Sequence, residues 1–520
     1  MPPPIALTPR TDEMTATRAA PPPTPNDKLD EVYRAIVDAY MFPRCGRTQA
    51  LGFIRGVLTD FGDEIDPGEK STILKFLEWP PPPIVLGIAS KIARSLASRP
   101  ALEDHLRRLE ADIAADRGTF APEVNAERSS GRRIVFVTDR PQFAILREAM
   151  YLVREGHHPF LLSLAPIDAE IRWVFERHFV AVADACGSYR VLDAILDLLR
   201  PEVFHVECKM WNYVLARQVI EHRGDAAIVC DFYDITSVYA GREALCSLWS
   251  AVQVDLDIAL ERYILHNADA IVHRFPPHVV DEVRDRHGAM PPETAMYAYP
   301  CPEFTAYAET RPSQSDGIVR LVYAGTTIPV NADHPPRLFP EAGMPRAFRR
   351  LLEQGFAIDI LGNPHSPVSD ENPSYTPFLT LGRNYPRMRV LDGVPPDQLS
   401  ETLAPYDFGI LVMVFDDSVL RIGHGQRTGV VANKIFSYLE AGLPVIVSAE
   451  YEEMARIVRE HGLGLAVASD ELPALGSILE EFDYATAAAN VRRYNETHGM
   501  AQEIGRLIAL YDAAVDGRRS

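Results

Sequence analysis

The sequence predicts an α/β protein with two doubly wound parallel-sheet domains, preceded by a small all-helical domain. Three observations carry this expectation. From Arg132 to about residue 312, β-branched runs alternate with helix-period segments, the order that specifies parallel strands joined by crossover helices. The alternation pauses in a proline-rich passage around Pro291 to Pro302 and restarts at Ile318. Upstream, residues 28–117 carry apolar residues at three-and-four spacing with no strand-like run. A chain of 520 residues also needs more than one core, because single cores stop growing at roughly 250 residues.

In chain order, residues 1–27 are rich in Pro, Thr and Ala and lack periodicity, which predicts a flexible tail. Residues 28–117 read as helices through LDEVYRAIVDAY, TQALGFIRGVL, STILKFLEW, IVLGIASKIARSL and LEDHLRRLEADI, with the run Pro80 to Pro83 separating two of them. Residues 118–131, polar over APEVNAERSSGRR, are expected to form the linker. The first sheet domain, 132–312, begins IVFVTD, then helical FAILREAMYLVREG, strand PFLLSL, helical DAEIRWVFERH and strand FVAVAD. It continues through YRVLDAILDLL, VFHVEC, WNYVLARQVIEHRG and AAIVCDFYD. The second, 313–490, starts at IVRLVYAG and runs through FAIDILG, MRVLDG, FGILVMVF, PVIVS and GLAVA with helices between. Residues 491–520 are expected to form a C-terminal helix packing back towards the first sheet domain.

Composition excludes several classes. Apolar residues make up 47% and charged residues 24%, the mix of a folded globular protein. A net charge of -20 argues against non-specific nucleic-acid binding and requires any phosphate site to be locally basic. The longest apolar stretch, Gly409 to Phe415, is far short of the roughly 18 residues that span a bilayer. The start MPPPIALTPR has no charged n-region followed by an apolar core, so a cytoplasmic protein is expected. Cys45, Cys186, Cys208, Cys230, Cys246 and Cys301 form no C-x-x-C pair and read as reduced thiols. The stretch KIARSLASRPALEDHLRRLE is compatible with weak peripheral membrane contact, but its interspersed acids favour a solvated face. Residues 28–117 are the candidate surface for a protein partner.

Two doubly wound domains serve dehydrogenases, periplasmic binding proteins and glycosyltransferases alike, so motifs must decide. The first β-α turn, TDRPQF, lacks the G-x-G-x-x-G of dinucleotide sites. In the second domain a helix predicted to start near Val431 would aim its free N–H groups into the cleft, where Lys434 adds a point charge. Gly325 ends the strand LVYAG and permits close backbone approach, and Thr326 and Thr327 supply donors. The segment FDDSVLRIGHGQRTGV, rich in Gly, Arg and His, reads as a site loop, with Arg421, His424 and Arg427 as candidates for phosphate contact.

The stretch NKIFSYLEAGLPVIVS, Asn433 to Ser448, resembles N/S-K-L-F-E-Y-L-A-A-G-K/L-P-V-I of family 4 of the retaining GT-B glycosyltransferases. MRVLDGVPPDQLSETLAPYDFGILV, LERYILHNADAIVH and PEVFHVECK resemble further segments of that family, so the likeness spans about 132–515. It implies two Rossmann-like domains, a nucleotide-diphosphate sugar donor held by the second, and a glycan, lipid or protein acceptor held by the first. It further implies retention of configuration and no metal or other cofactor, with the leaving diphosphate helping to take the acceptor's proton. Carried onto this chain, it makes His205, Glu207, Asp231 and Asp234 the catalytic candidates. Asp139, Arg140 and Tyr233 fall on the acceptor side. On the donor side stand Gly325, Thr326, Thr327, Arg421, His424, Arg427, Asn433, Lys434 and Ser437.

The chain departs from that pattern at telling places. The family's two glutamates, the second of which normally accepts hydrogen bonds from ribose hydroxyls, fall on Gly429 and Ser437. Nucleoside recognition must then be rebuilt, with Glu440 or Asp417 as candidates, or be lost. The second histidine of H-x-H is Glu207, and T-x-H-D reads Asp231-Phe232-Tyr233-Asp234. His205 is equally compatible with a satisfied buried histidine, and Asp231 and Asp234 with plain loop chemistry. Three readings stay open: a glycosyltransferase, a GT-B scaffold without activity, and a sugar-nucleotide epimerase.

Overall fold

In the computed structural model, the structure describes residues 120–519 except 168, 186–188, 211, 248–250, 289, 326, 328–337, 365–367 and 371. The expected tail over residues 1–27, the helical region over 28–117 and Thr326 lie outside the described residues.

Two parallel sheets form the described part. The first has seven strands in the order β3-β2-β1-β4-β5-β6-β7, with β1 Arg133–Thr138, β2 His158–Ser163, β3 Val182–Asp184, β4 Val203–Cys208, β5 Ala227–Phe232, β6 Ala270–His273 and β7 Glu293–Ala295. The second has six, in the order β10-β9-β8-β11-β12-β13, with β8 Arg320–Ala324, β9 Ala357–Leu361, β10 Met388–Leu391, β11 Phe408–Leu411, β12 Val445–Ser448 and β13 Gly464–Val467. Helices cover both faces, so central strands such as VFHVEC and AIVCDF are buried along their whole length, which is why the sequence shows continuous runs there instead of alternation. In each sheet the strand order reverses at one place, between β1 and β4 and between β8 and β11. At such a switch point the connecting loops diverge and leave a crevice at the carboxyl ends of the strands.

The last helix, Met500–Arg519, lies on the first sheet although it follows the second. Its Ile504, Leu507 and Tyr511 share a core with Phe136 of β1 and with Ile145 and Ala149 of the helix Phe143–Arg154. Beneath this helix a polar network is enclosed in the core. His205, in the middle of β4, stacks on Phe136 with ring centroids 4.6 Å apart. Its Nδ1 meets the Tyr511 hydroxyl at 2.7 Å, and its Nε2 stands 3.5 Å from Asp231 and 4.0 Å from Glu148. Asp231 is held by the Arg274 guanidinium through two bonds, one of them 2.9 Å. Burial alone would raise the Asp231 carboxyl, but Arg274 and His205 outweigh it and bring it to about 2. Glu148 has no such partner: burial, with Asp231 beside it, pushes its carboxyl up to about 8.

The two domains meet through a buried ion pair. Arg147 of the helix Phe143–Arg154 donates through Nε to Glu440 Oε1 at 3.1 Å and through Nη2 to Oε2, and the Cys301 backbone N–H donates to Oε1 at 2.9 Å. The two side chains are 5% and 1% exposed, so neither charge has water to fall back on. Cys208, Cys230 and Cys301 are buried free thiols and Cys246 is a half-buried one.

Two stability measurements follow from these contacts. Arg147→Ala strands a buried carboxylate and is expected to cost about 3–5 kcal/mol, whereas Arg147→Met with Glu440→Leu should cost much less. A loss below about 1 kcal/mol for the single variant in denaturant unfolding would show that the pair does not hold the domains. The Glu148 carboxyl binds its proton more tightly folded than unfolded, so its contribution is full below its ordinary pKa and is lost as pH rises towards 8. Glu148→Gln should therefore gain thermal midpoint over the wild type between pH 5.5 and pH 8.5, by about 2–4 °C per kcal/mol recovered. An unchanged difference at the two pH values contradicts the raised carboxyl.

Candidate functional site

The two switch points supply the two walls of the site. On the first wall, β4 carries Glu207 two residues beyond His205, past the cover of the last helix. One Glu207 oxygen accepts from the Thr138 hydroxyl at the end of β1 and from the Lys209 ammonium at 2.9 Å. Lys209 also donates to Asp139 at 2.6 Å, and the Arg140 N–H donates to the same Asp139 oxygen at 2.7 Å. The other Glu207 oxygen is buried without a hydrogen-bond partner. Burial pushes the Glu207 carboxyl up to about 7, with Lys209 opposing the rise. Carboxylate, ammonium and carboxylate thus alternate at the mouth of the β1–β4 crevice.

After β5 the chain turns outward through Tyr233 and Asp234. The Arg274 guanidinium lies 3.7 Å from the Tyr233 ring centroid, so the ion pair with Asp231 also fixes Tyr233, whose hydroxyl is buried without a partner. Burial raises the Asp234 carboxyl, while Arg274, Lys209 and Gln426, the last from the opposite domain, oppose the rise. His205 and Asp231 sit below this wall, fully buried.

On the second wall, Lys434 lies against Gly325. A Cβ at Gly325 would come within 2.8 Å of Lys434 Cε, and Gly325 has φ +115°, in the region that favours glycine. Lys434 Nζ lies 5.5 Å from the Tyr323 ring centroid. Burial lowers the Lys434 pKa, and Glu341 counters it. The helix carrying Lys434 runs Lys434–Glu440, starting three residues later than Val431, where the sequence suggested. Asn433, just before it, keeps a buried side-chain oxygen without a partner, and Ser437 is half-buried. Thr327 is buried and its hydroxyl donates to the Ser374 carbonyl at 2.7 Å.

The loop read from the sequence as a phosphate site has a second duty. Its helix, His424–Gly429, docks on the first domain. The Gly423 N–H donates to the Tyr239 carbonyl at 2.6 Å, and Thr428 meets His278 at 3.0 Å. A Cβ at Gly429 would come within 2.7 Å of Val279 Cγ2, so a glutamate there would collide with the opposite domain. Arg421 is exposed and spends its guanidinium on the carbonyls of Asp417, Ser418 and Leu420. Arg427 pairs with Asp417 at 2.7 Å, and His424 is exposed. Neither carboxylate expected to replace the lost pair is available as imagined: Glu440 is consumed by Arg147, and Asp417 is an exposed partner of Arg427. Sequence reasoning missed Lys209, Glu341 and Gln426. Lys209 directly follows the β4 strand and could have been found as a charge at a strand's carboxyl end; the other two carry no local signal.

Comparison with known proteins bears on the fold. Residues 375–500 match the family model described as the glucosyltransferase 3-like C-terminal domain. No curated protein matches the chain. Among solved structures, sucrose-phosphate synthase from Thermosynechococcus elongatus superposes with a TM-score of 0.52 at 12% identity, covering 73% of this chain and 99% of that one. Anabaena HepE in complex with UDP gives a TM-score of 0.48 at 13% identity, covering 72% and 98%. AviGT4, a glycosyltransferase involved in avilamycin A biosynthesis, gives 0.42 at 13% identity, covering 74% and 98%. The chain therefore has the GT-B glycosyltransferase fold, with a glucosyltransferase 3-like C-terminal domain over residues 375–500.

Proposed function

We propose that this chain is a glycosyltransferase that moves a sugar from a nucleotide-diphosphate sugar to a hydroxyl of a glycan, lipid or protein acceptor in the cleft between the two sheets, with retention of configuration. The observation that carries the reading is the placement of Lys434 against Gly325 at one switch point, opposite the Glu207, Lys209 and Asp234 cluster at the other. A chain of net charge -20 repels a diphosphate almost everywhere. A half-buried ammonium beside a glycine that lets the backbone come close offers a local exception. Asn433, Ser437, Thr326 and the Thr327 backbone N–H complete the proposed donor side, together with His424 and with Arg421 and Arg427, which there exchange their bonds to the loop carbonyls and to Asp417 for the donor's phosphates.

In the proposed reaction the bond from the sugar's anomeric carbon to the diphosphate oxygen breaks, and a bond to the acceptor oxygen forms. The acceptor's proton passes to the departing diphosphate. Lys434 stabilises the charge that develops there. Glu207 and Asp234, whose carboxyls burial raises, accept hydrogen bonds from the acceptor, with Asp139, Arg140 and Tyr233 beside them. His205 and Asp231 act as positioning residues, because they hold Arg274 and through it Tyr233. Among the described residues no helix is long and apolar enough to cross a membrane.

A second reading has its own observation. The absence of both family carboxylates, at Gly429 and Ser437, with Val279 occupying the space at the first, favours a GT-B scaffold without activity. Thermal unfolding with UDP, GDP, ADP, CMP and dTDP separates the two. A ligand bound at a hundred times its Kd adds about 2.7 kcal/mol, so one nucleotide is expected to raise the midpoint, and Lys434→Ala should remove most of the rise. No shift with any nucleotide at millimolar concentration favours the scaffold.

A further inference from the structure

One carboxylate of the cleft is used neither by the domain contact nor by the Glu207 cluster. Glu341 stands in the 3-10 turn Pro340–Gly343, ahead of the helix Met344–Glu353. Its Oε2 is buried and has no hydrogen-bond partner. The charged groups that bear on it come from both walls, Lys434 from the second domain and Asp234 from the first. After burial itself, Glu341 is the main cause raising the phenols of Tyr239, of the first domain, and of Tyr451, of the second. The contacts of its turn place it where the domains face each other: the Tyr239 hydroxyl donates to the Leu338 carbonyl at 2.8 Å, the Tyr239 and Phe339 ring centroids are 6.0 Å apart, and a Cβ at Gly343 would come within 2.9 Å of the Val414 carbonyl oxygen.

An unpaired buried carboxylate oxygen is costly, of the order of 1–3 kcal/mol or more, and such atoms in a native fold call for an explanation. Asn433 Oδ1, Gln426 Oε1 and Glu207 Oε1 are also buried without partners, and so are two donor-capable atoms, the Tyr233 hydroxyl and Arg274 Nε. An ionised carboxylate can only accept, so the ligand group that completes Glu341 must bring a donor to it, close to a diphosphate. Hydroxyl groups of a ribose or a hexose fit that demand, and a second phosphate does not. The two family positions that would carry carboxylates hold Gly429 and Ser437, and the first is closed by Val279.

We propose that Glu341 is a specificity-determining residue that accepts hydrogen bonds from the hydroxyl groups of the sugar-nucleotide donor, beside the diphosphate on Lys434. The proposal rests on the transferase reading and goes beyond it by naming the group that reads the donor's hydroxyls. Glu341 discriminates among donors, whereas Lys434 binds all of them.

Calorimetric titration of the full chain with inorganic pyrophosphate, with UDP, GDP and ADP, with their 2′-deoxy counterparts and with the matching glucose esters tests it. In Glu341→Gln and Glu341→Ala, pyrophosphate should bind as well as in the wild type or better, since a repelling charge is gone. The hydroxyl-bearing ligand preferred by the wild type should lose at least about tenfold, or about 1.4 kcal/mol. Loss shared by the ribonucleotide and absent from its 2′-deoxy form assigns the contact to ribose, and loss confined to the glucose ester assigns it to the sugar. The unliganded Glu341→Gln protein should unfold at the same temperature as the wild type or higher, because a buried charge has been removed; a lower midpoint marks a structural residue and overturns the proposal. Unchanged affinity for every ligand, or an equal loss for pyrophosphate and sugar nucleotide, overturns it while leaving the transferase reading intact. A wild-type chain that binds none of the nucleotides removes both.

Discussion

The geometry of the cleft depends on the buried pair between Arg147 and Glu440. Glu440 ends the helix that Lys434 begins, and Arg147 belongs to the helix that follows Asp139 and Arg140. One contact therefore ties the loop at the first switch point to the helix at the second. Taking two charges out of water costs several kcal/mol, and attraction in the dry interior returns it only when the remaining lone pairs are satisfied. Here the fork of Arg147 meets both carboxylate oxygens and the Cys301 N–H takes a further lone pair. Such a pair contributes little net stability over an apolar contact, but it admits few alternative arrangements. The relative position of the two walls is what it specifies.

Burial then decides the chemistry of each acid. Asp231, Glu148, Glu207 and Glu341 all stand in or under the same cleft, yet their protons are held differently. Asp231 has Arg274 and is ionised. Glu207 shares Lys209 with Asp139 and is raised to about 7. Glu148 and Glu341 lack a direct cationic partner, and burial dominates both. On β4, His205 and Glu207 lie on one face of the strand, two residues apart. The Tyr511 hydroxyl covers His205, while Glu207 reaches the strand's end. Depth along one strand, more than residue type, separates a packed histidine from a carboxylate at the crevice.

That separation also marks the limit of what the sequence discloses. Both sheets were legible, because parallel strands covered on two faces must be continuous apolar runs, and VFHVEC and AIVCDF are such runs. The meeting of Gly325 and Lys434 was approached from two motifs but not deducible, since nothing in either segment encodes the other. Glu440 reads in the sequence as a spare carboxylate, because Arg147, which occupies it, comes from the other domain. Arg421 and Thr327 looked like donors for phosphate, yet short-range carbonyls claim the first and Ser374 the hydroxyl of the second. Glu341 had no signal, because a lone acid in a proline-flanked turn, PEAG, reads as ordinary loop. Local propensity can find an element and its period; it cannot find a partner supplied by another domain.

The absence of a side chain at position 429 and the closeness of the domains are a single structural fact. The helix His424–Gly429 packs on Tyr239, Val279 and His278, and only a residue without a side chain fits at 429. A glutamate fits there only if the domains draw apart, which would strain the Arg147 contact and lose the bonds of Gly423 to Tyr239 and of Thr428 to His278. No carboxylate on that helix can reach a ligand, so hydroxyl recognition must come from the walls that this docking brings together. In the proposed reading the task passes to Glu341, which the docked arrangement holds beside Lys434 and Asp234.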